Sequence, residues 1–270
     1  MKQKKERLIH RLLEMGACPH EKEAAARIMA GEVYINGQLA RHGALVKPED
    51  QVTLKGVLPY ASKGGFKMAG ALDAFGIDVS GRVCIDAGAS TGGFTDCLCQ
   101  RGAALVYAVD VGFGQLMGKL RQNPHVVNLE KTNISDEKLL SLSPRPEMGT
   151  VDVSYLSLRK AIPYFSAVLH GEGQLVCLVK PLFEIDDAEA RRTGVIADEA
   201  YAPLLFDLIR DVNAMPGAQA VNVTFSPVTG NGGPREFFLH VLLGRKGAAI
   251  PESAVYAAVD AARELELYRK

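Results

Sequence analysis

A chain of 270 residues, 47% hydrophobic and 23% charged, has room for one large domain or a large and a small one, and carries enough apolar material to exclude global disorder. Its 31 basic residues balance its 31 acidic ones; this excludes a chain that is cationic throughout, while a local cationic face stays open. No apolar run approaches the ~20 residues that span a bilayer and the N-terminus lacks a secretory core, so the chain reads as cytoplasmic with no membrane partner.

Residues 1–58 read as a small α+β domain. Lys2, Lys4, Lys5, Arg7 and Arg11 form a cationic cluster interrupted only by Glu6. Leu8, Ile9, Leu12 and Leu13 recur at helical spacing with Gly16 as C-cap, and a second helix starts at Pro19-His20-Glu21 and ends at Gly31. The period then changes: residues 33–39 form a β run broken by an Asn36-Gly37 hairpin turn, and residues 51–54 alternate like one more strand. Residues 59–80 read as a linker with a leading helix, in which Ser62-Lys63-Gly64-Gly65 is a flexible joint.

Over residues 81–246 apolar strands alternate with amphipathic helices. Strands fall at 83–86, 105–110, 126–129, 149–153 and 175–180, each nearly continuously apolar, as strands covered on both faces should be. Helices are expected at 92–100, 156–169 and 201–213, and a closing hairpin at 220–225 and 237–243. The fold class is α/β, a Rossmann-like doubly wound sheet ending in an antiparallel strand. Residues 247–270 read as a helical tail with Val255, Val259, Ala262 and Leu265 on one side. The five cysteines, Cys18, Cys84, Cys97, Cys99 and Cys177, lack a second pair at zinc spacing and read as reduced, mostly buried thiols, with no metal centre.

The run Asp86-Ala-Gly88-Ala-Ser90-Thr91-Gly92-Gly93-Phe94 follows the first strong strand and opens a helix, at the sheet edge where such folds bind ligands. Glycines there let the backbone approach a ligand closely. Ser90 breaks the G-x-G-x-x-G spacing, and no Lys-Ser/Thr follows, which disfavours dinucleotides and nucleoside triphosphates. The next strand ends in Asp110, placed to hold both ribose hydroxyls. The third ends near Thr132-Asn133, suited to reading a base edge. An adenosine attached to something other than phosphate fits, and S-adenosylmethionine is the candidate.

These residues carry a resemblance. The run from Asp86 to Asp96, Ala108 through Gln115, Asp152-Val-Ser154-Tyr155, Leu178-Val-Lys180-Pro-Leu-Phe-Glu184, and Gly230-Asn231 through Phe237 resemble the motifs of the TlyA/haemolysin-A family, relatives of FtsJ-type RNA 2′-O-methyltransferases. Arg7-Leu8, the helix entering Gly31 and the segment from Val33 to Gly37 resemble a small RNA-binding domain of ribosomal-protein type. The resemblance implies a Lys-Asp-Lys-Glu tetrad at Lys67, Asp152, Lys180 and Glu236, with S-adenosylmethionine bound by Asp86, Gly88, Ser90, Thr91, Gly92, Gly93, Phe94, Asp110, Asn133 and Asp152. It also implies ribosomal RNA, or ribosomal subunits, as partner and a cytidine 2′-hydroxyl as target. Lys4, Lys5, Arg7, Arg11, Arg27, Arg41 and Lys63 would face that RNA. This chain departs from the pattern in having Lys63 for the common Arg, Leu182 for the usual Gln, and Ile9 for a frequent Asp.

A ribose hydroxyl is a poor nucleophile until its proton is removed, whereas a sulfonium methyl is already activated. Lys180 is assigned that proton, with Lys67 as the neighbouring cation that lowers its affinity for it. Asp152 orients Lys180, and Glu236 positions Lys67 or the hydroxyl. Two rivals stand beside this reading. A membrane-active haemolysin requires an insertable segment, and a non-catalytic RNA-binding or ribosome-assembly factor requires a lost tetrad or a filled cofactor loop.

Overall fold

The computed structural model describes residues 5–265 except Gly16, Pro19, Gly37, His42, Gln51, residues 55–59, Tyr155 and residues 230–233. Expectations placed on Lys2, Lys4, Gly16, Pro19, Gly37, Gly230 and Asn231 therefore lie outside the described residues. The chain forms two units, Met1–Pro59 and Tyr60–Lys270.

The smaller unit runs β1 (Glu6–Arg7), α1 (Leu8–Glu14), α2 (Glu21–Met29), β2 (Val33–Ile35), β3 (Gln38–Leu39), β4 (Leu45–Val46) and β5 (Val52–Leu54). Leu8, Leu12, Ala24, Ile28, Val33 and Val46 close its core. β2 pairs antiparallel with both β3 and β5, and Asn36 takes the left-handed backbone (φ 51°) that the hairpin turn demands. His20 caps α2 by accepting the Glu23 N–H. The two-residue strands β1 and β4 pair with each other and were not expected, being too short to show a period.

The larger unit opens with α3 (Lys63–Phe75), then β6 (Val83–Ala87), α4 (Gly93–Gln100), β7 (Leu105–Asp110), α5 (Gly118–Arg121), β8 (Val126–Glu130) and β9 (Met148–Val151). It continues with α6 (Leu158–Val168), β10 (Gly173–Val179), α7 (Pro181–Glu184), α8 (Ala188–Thr193), α9 (Tyr201–Asn213), β11 (Ala218–Phe225), β12 (Phe237–Leu243) and α10 (Glu252–Arg263). The sheet order is β11-β12-β10-β9-β6-β7-β8, parallel from β10 to β8 and antiparallel at both of β12's edges. The chain turns outward in opposite directions from β6 and β9, and ligand crevices open at the carboxyl ends of such strands.

Both faces are covered, which is why the strands read as unbroken apolar runs. Phe165, Leu205, Phe237 and Val259 fill one face beneath α6, α9 and α10. Met68, Leu72, Leu98 and Phe238 fill the other beneath α3 and α4. All five cysteines are free, and four of them are buried.

One sequence expectation changes. Ser62 to Gly65 is a helix start rather than a joint: the Ser62 hydroxyl accepts the Gly64 N–H and caps α3. Gly64 and Gly93 lie back to back where α3 meets α4, so their small size serves close packing. Residues 252–263 form a helix as expected, and Val255, Ala258, Val259 and Ala262 are buried in the core over the sheet.

Candidate active site

At the carboxyl ends of β6, β7 and β9 lies a cleft of about 340 Å³, lined among others by Gly88, Ser90, Asp110, Asn133, Asp152 and Ser154. Gly88 sits at φ +86°, and a Cβ there would run into the Asp152 carbonyl oxygen, so the β6 turn and the end of β9 touch only because the residue is glycine. The Asp110 carboxylate braces the turn: Oδ2 accepts the Ser90 N–H at 2.8 Å and Oδ1 the Gly112 N–H at 2.7 Å. Each oxygen keeps a lone pair for a ribose hydroxyl. Asn133 is held at the rim by Ser135, whose N–H and hydroxyl both donate to its Oδ1.

Sequence reasoning missed what holds the next loop. The Glu130 carboxylate accepts the Gln115 N–H at 2.7 Å and the Leu116 N–H at 3.1 Å. Hydrogen bonds from the Asn128 side chain and these amides hold its pKa down at about 2. Gln115 is thereby carried into the cleft lining, where the Ser90 hydroxyl donates to it at 3.3 Å. No periodicity marks Glu130 for this task, because its partners lie 14 and 15 residues back in a loop.

Five expected cofactor residues stand elsewhere. Asp86 is fully buried, and its oxygens accept the Thr95 and Thr150 hydroxyls at 2.7 and 2.9 Å. Burial pushes its pKa up to about 6 against those two hydrogen bonds. It ties β6, α4 and β9 together beneath the loop and does not line the cleft. Gly92 and Gly93 form the buried start of α4, and Phe94 packs on Phe238 with centroids 6.0 Å apart. Thr91 is exposed, and its carbonyl accepts the Met117 N–H. Glycine is needed at 92 and 93 for packing, since a Cβ would meet Leu120 at the first and Ser62 at the second.

A second cleft of about 360 Å³ adjoins the first and contains all four tetrad residues. Asp152 and Ser154 line both clefts. Lys180 directly follows β10, and the antiparallel ladder that pairs Val179 with Phe237 brings it beside Glu236. Lys180 Nζ lies 2.5 Å from Asp152 Oδ1 and donates to the Ser154 hydroxyl at 3.2 Å. Lys67, on α3, is ion-paired with Glu236, whose side chain is 7% exposed. Burial raises the Glu236 pKa, opposed first by the Lys67 charge. Each lysine thus lies against its own carboxylate, Lys180 against Asp152 and Lys67 against Glu236. Pro181, Leu182, Phe183 and Pro234 supply an apolar wall. Ser154 is the residue that reasoning from sequence left without a task. Glu184 instead holds α6, accepting from the Leu158 N–H, Ser157 and Arg159.

The residues present fit a sulfonium nucleoside. The described lining of the first cleft holds two carboxylates, Asp110 and Asp152, and no lysine or arginine, which suits a cation with a ribose and disfavours phosphate. Among the described residues no group of three or more His, Cys, Asp or Glu is placed to hold a metal ion.

The expected RNA-facing cations divide. Lys5, Arg7 and Arg41 are exposed, as is Lys63 at the first turn of α3. Arg11 is paired with Glu6 and donates to the Lys47 carbonyl, and Arg27 is paired with Glu23 one helical turn away. Their side chains are 18% and 19% exposed, so both are committed to the fold of the small unit, contrary to expectation. No helix among the described residues is long and apolar enough to cross a membrane.

Residues 60–242 match the FtsJ-like methyltransferase family model. The chain is 36% identical to the 16S/23S rRNA (cytidine-2′-O)-methyltransferase TlyA of Mycobacterium tuberculosis, over 92% of this chain and 95% of that one. Identity is 35% to Hemolysin A of Brachyspira hyodysenteriae, over 80% and 91% of the two chains. A candidate hemolysin of solved structure from Streptococcus thermophilus is similar at a TM-score of 0.73 and 33% identity, over 96% of both chains. With this match over residues 60–242, the chain belongs to the FtsJ-like methyltransferase family.

Proposed function

We propose that this chain transfers the methyl group of S-adenosylmethionine to the ribose 2′-hydroxyl of a cytidine in ribosomal RNA, acting in the cytoplasm on ribosomal subunits. One observation carries the reading: the cleft suited to the donor and the cleft holding Lys67, Asp152, Lys180 and Glu236 share Asp152 and Ser154 as a common wall. When bound, the donor supplies a methyl on a positive sulfur, open to in-line attack. Asp110 would hold the ribose of the donor, and Gly88 would admit it against the backbone.

In the second cleft Lys180, in its unprotonated form, would take the proton of the target hydroxyl as that oxygen accepts the methyl, which a bound donor would give up in becoming an uncharged thioether. Asp152 and Ser154 fix the Lys180 nitrogen at the boundary between the two reactants. Lys67, held by Glu236, places a second positive group beside the oxygen that gains negative character. The apolar wall from Pro181 to Phe183 keeps water from competing. Both clefts are open and the tetrad is complete, which supports an enzyme over a binding factor that kept only the fold.

The test is incubation of the pure protein and labelled S-adenosylmethionine with ribosomes and isolated subunits, then mapping of 2′-O-methyl positions. A labelled cytidine is expected. No label on any RNA, with donor binding demonstrated, overturns the proposal.

A further inference from the structure

The family match ends at residue 242, and α10 lies beyond it. Yet the last turn of α10 reaches the residue next to Glu236. The Arg235 side chain is 12% exposed and pairs with Asp198. Its Nε donates to the Ala262 carbonyl at 3.1 Å, and its guanidinium lies 5.6 Å from the Tyr201 ring centre. Asp198 is also approached by Arg263 of α10, whose Nη2 donates to its carbonyl at 3.4 Å.

Side chains alternate between faces along an extended chain. Phe237 packs on the face covered by α9 and α10, Phe238 on the face covered by α3 and α4. Glu236 shares the parity of Phe238 and meets Lys67 of α3. Arg235 shares the parity of Phe237 and meets α9 and α10. A guanidinium fixed at three points sets the rotation of the strand about its axis, and that rotation sets where Glu236 points.

We propose that Arg235 is a positioning residue, a latch through which Asp198 and α10 hold Glu236 against Lys67. The inference rests on the methyl transfer proposed above for its effect on rate, and not for its effect on the ion pair.

The test uses the full chain and its Arg235→Gln variant. Lysine acetylation by acetic anhydride, read by mass spectrometry, reports how well each amine is shielded. Lys67 is expected to react about fivefold faster in the variant while Lys180 changes less than about twofold, since Lys180 is held by Asp152 and Ser154, neither of which the latch touches. Single-turnover transfer to ribosomal RNA is expected to slow about tenfold with donor affinity unchanged, and Arg235→Lys, which can keep only the pairing with Asp198, to recover part of the rate. Unchanged Lys67 labelling overturns the latch, and so does an equal rise at Lys180, which signals general loosening. If Arg235→Gln does not fold, Asp198→Asn is read by the same criteria. Should the wild type transfer no methyl to RNA, the proposed function fails while the labelling still decides the latch.

Discussion

Asp86 and Asp110 are both carboxylates at the ends of neighbouring parallel strands, and their surroundings give them different work. Asp110 faces the cleft with its oxygens held by backbone amides. Asp86 is sealed between two threonine hydroxyls, and its pKa is raised from the ordinary 3.8 to about 6. Because the folded state holds this proton more tightly than the unfolded chain, the group favours folding most below about pH 4, and that contribution is lost as pH rises to about 6. Two pKa units correspond to about 3 kcal/mol. Urea unfolding of wild type and Asp86→Asn should therefore diverge between pH 4 and 7, the variant gaining up to that amount relative to wild type; a constant difference would refute a desolvated carboxylate. Two substitutions at the cleft boundary should separate chemistry from binding. Lys180→Ala is expected to abolish transfer with donor affinity nearly intact, measured by calorimetry beside a methylation assay. Gly88→Ala, which drives a Cβ into the Asp152 carbonyl, is expected to abolish donor binding in a folded protein. Tight binding by Gly88→Ala would mean the donor lies elsewhere.

At the scale of elements, the long strands and helices were legible because their apolar periods run for five residues or more, and that pattern put Asp152, Lys180 and Glu236 near strand ends once the resemblance had singled them out. Lys67 could not, since its partner lies 169 residues away and only the packing of α3 under β12 joins them. Gly64 and Gly65 misled for the same reason: whether glycine loosens a segment or lets two helices touch depends on Gly93, which local sequence does not see. The loop after β7 is set by Glu130, which satisfies two amides that no regular element uses. Leaving such donors unpaired costs about 1–3 kcal/mol each in buried settings. Glu130→Ala should accordingly weaken donor binding about tenfold in calorimetry, the loss being smaller than the full penalty because the amides regain water. An unchanged dissociation constant would show that the loop keeps Gln115 in place by other means.

For the molecule as a whole, a net charge of zero means that any attraction to RNA must come from a local face, and the proposed function assigns that task to the exposed cations of the small unit. The sequence reading counted Arg11 and Arg27 with Lys5, Arg7 and Arg41, because a charge in a sequence carries no mark of being spent. The structure separates them: Glu6 and Glu23 take up the first two, and the other three stand exposed. Cations that meet phosphates release counterions, and each adds roughly 0.7–0.9 to the slope of log association constant against log salt. Replacing Lys5, Arg7 and Arg41 together by alanine should thus lower the slope for ribosomal RNA by about 2 and weaken binding to all sequences alike, with donor affinity untouched. Replacing Arg11 and Arg27 should leave the slope where it was and instead lower the unfolding midpoint of the small unit, because partly buried carboxylates lose their partners. Filter binding across a salt series, run beside thermal unfolding of both variants, distinguishes the two sets. Equal slope losses would show that RNA draws Arg11 and Arg27 out of their ion pairs, and that the cationic face is assembled on binding.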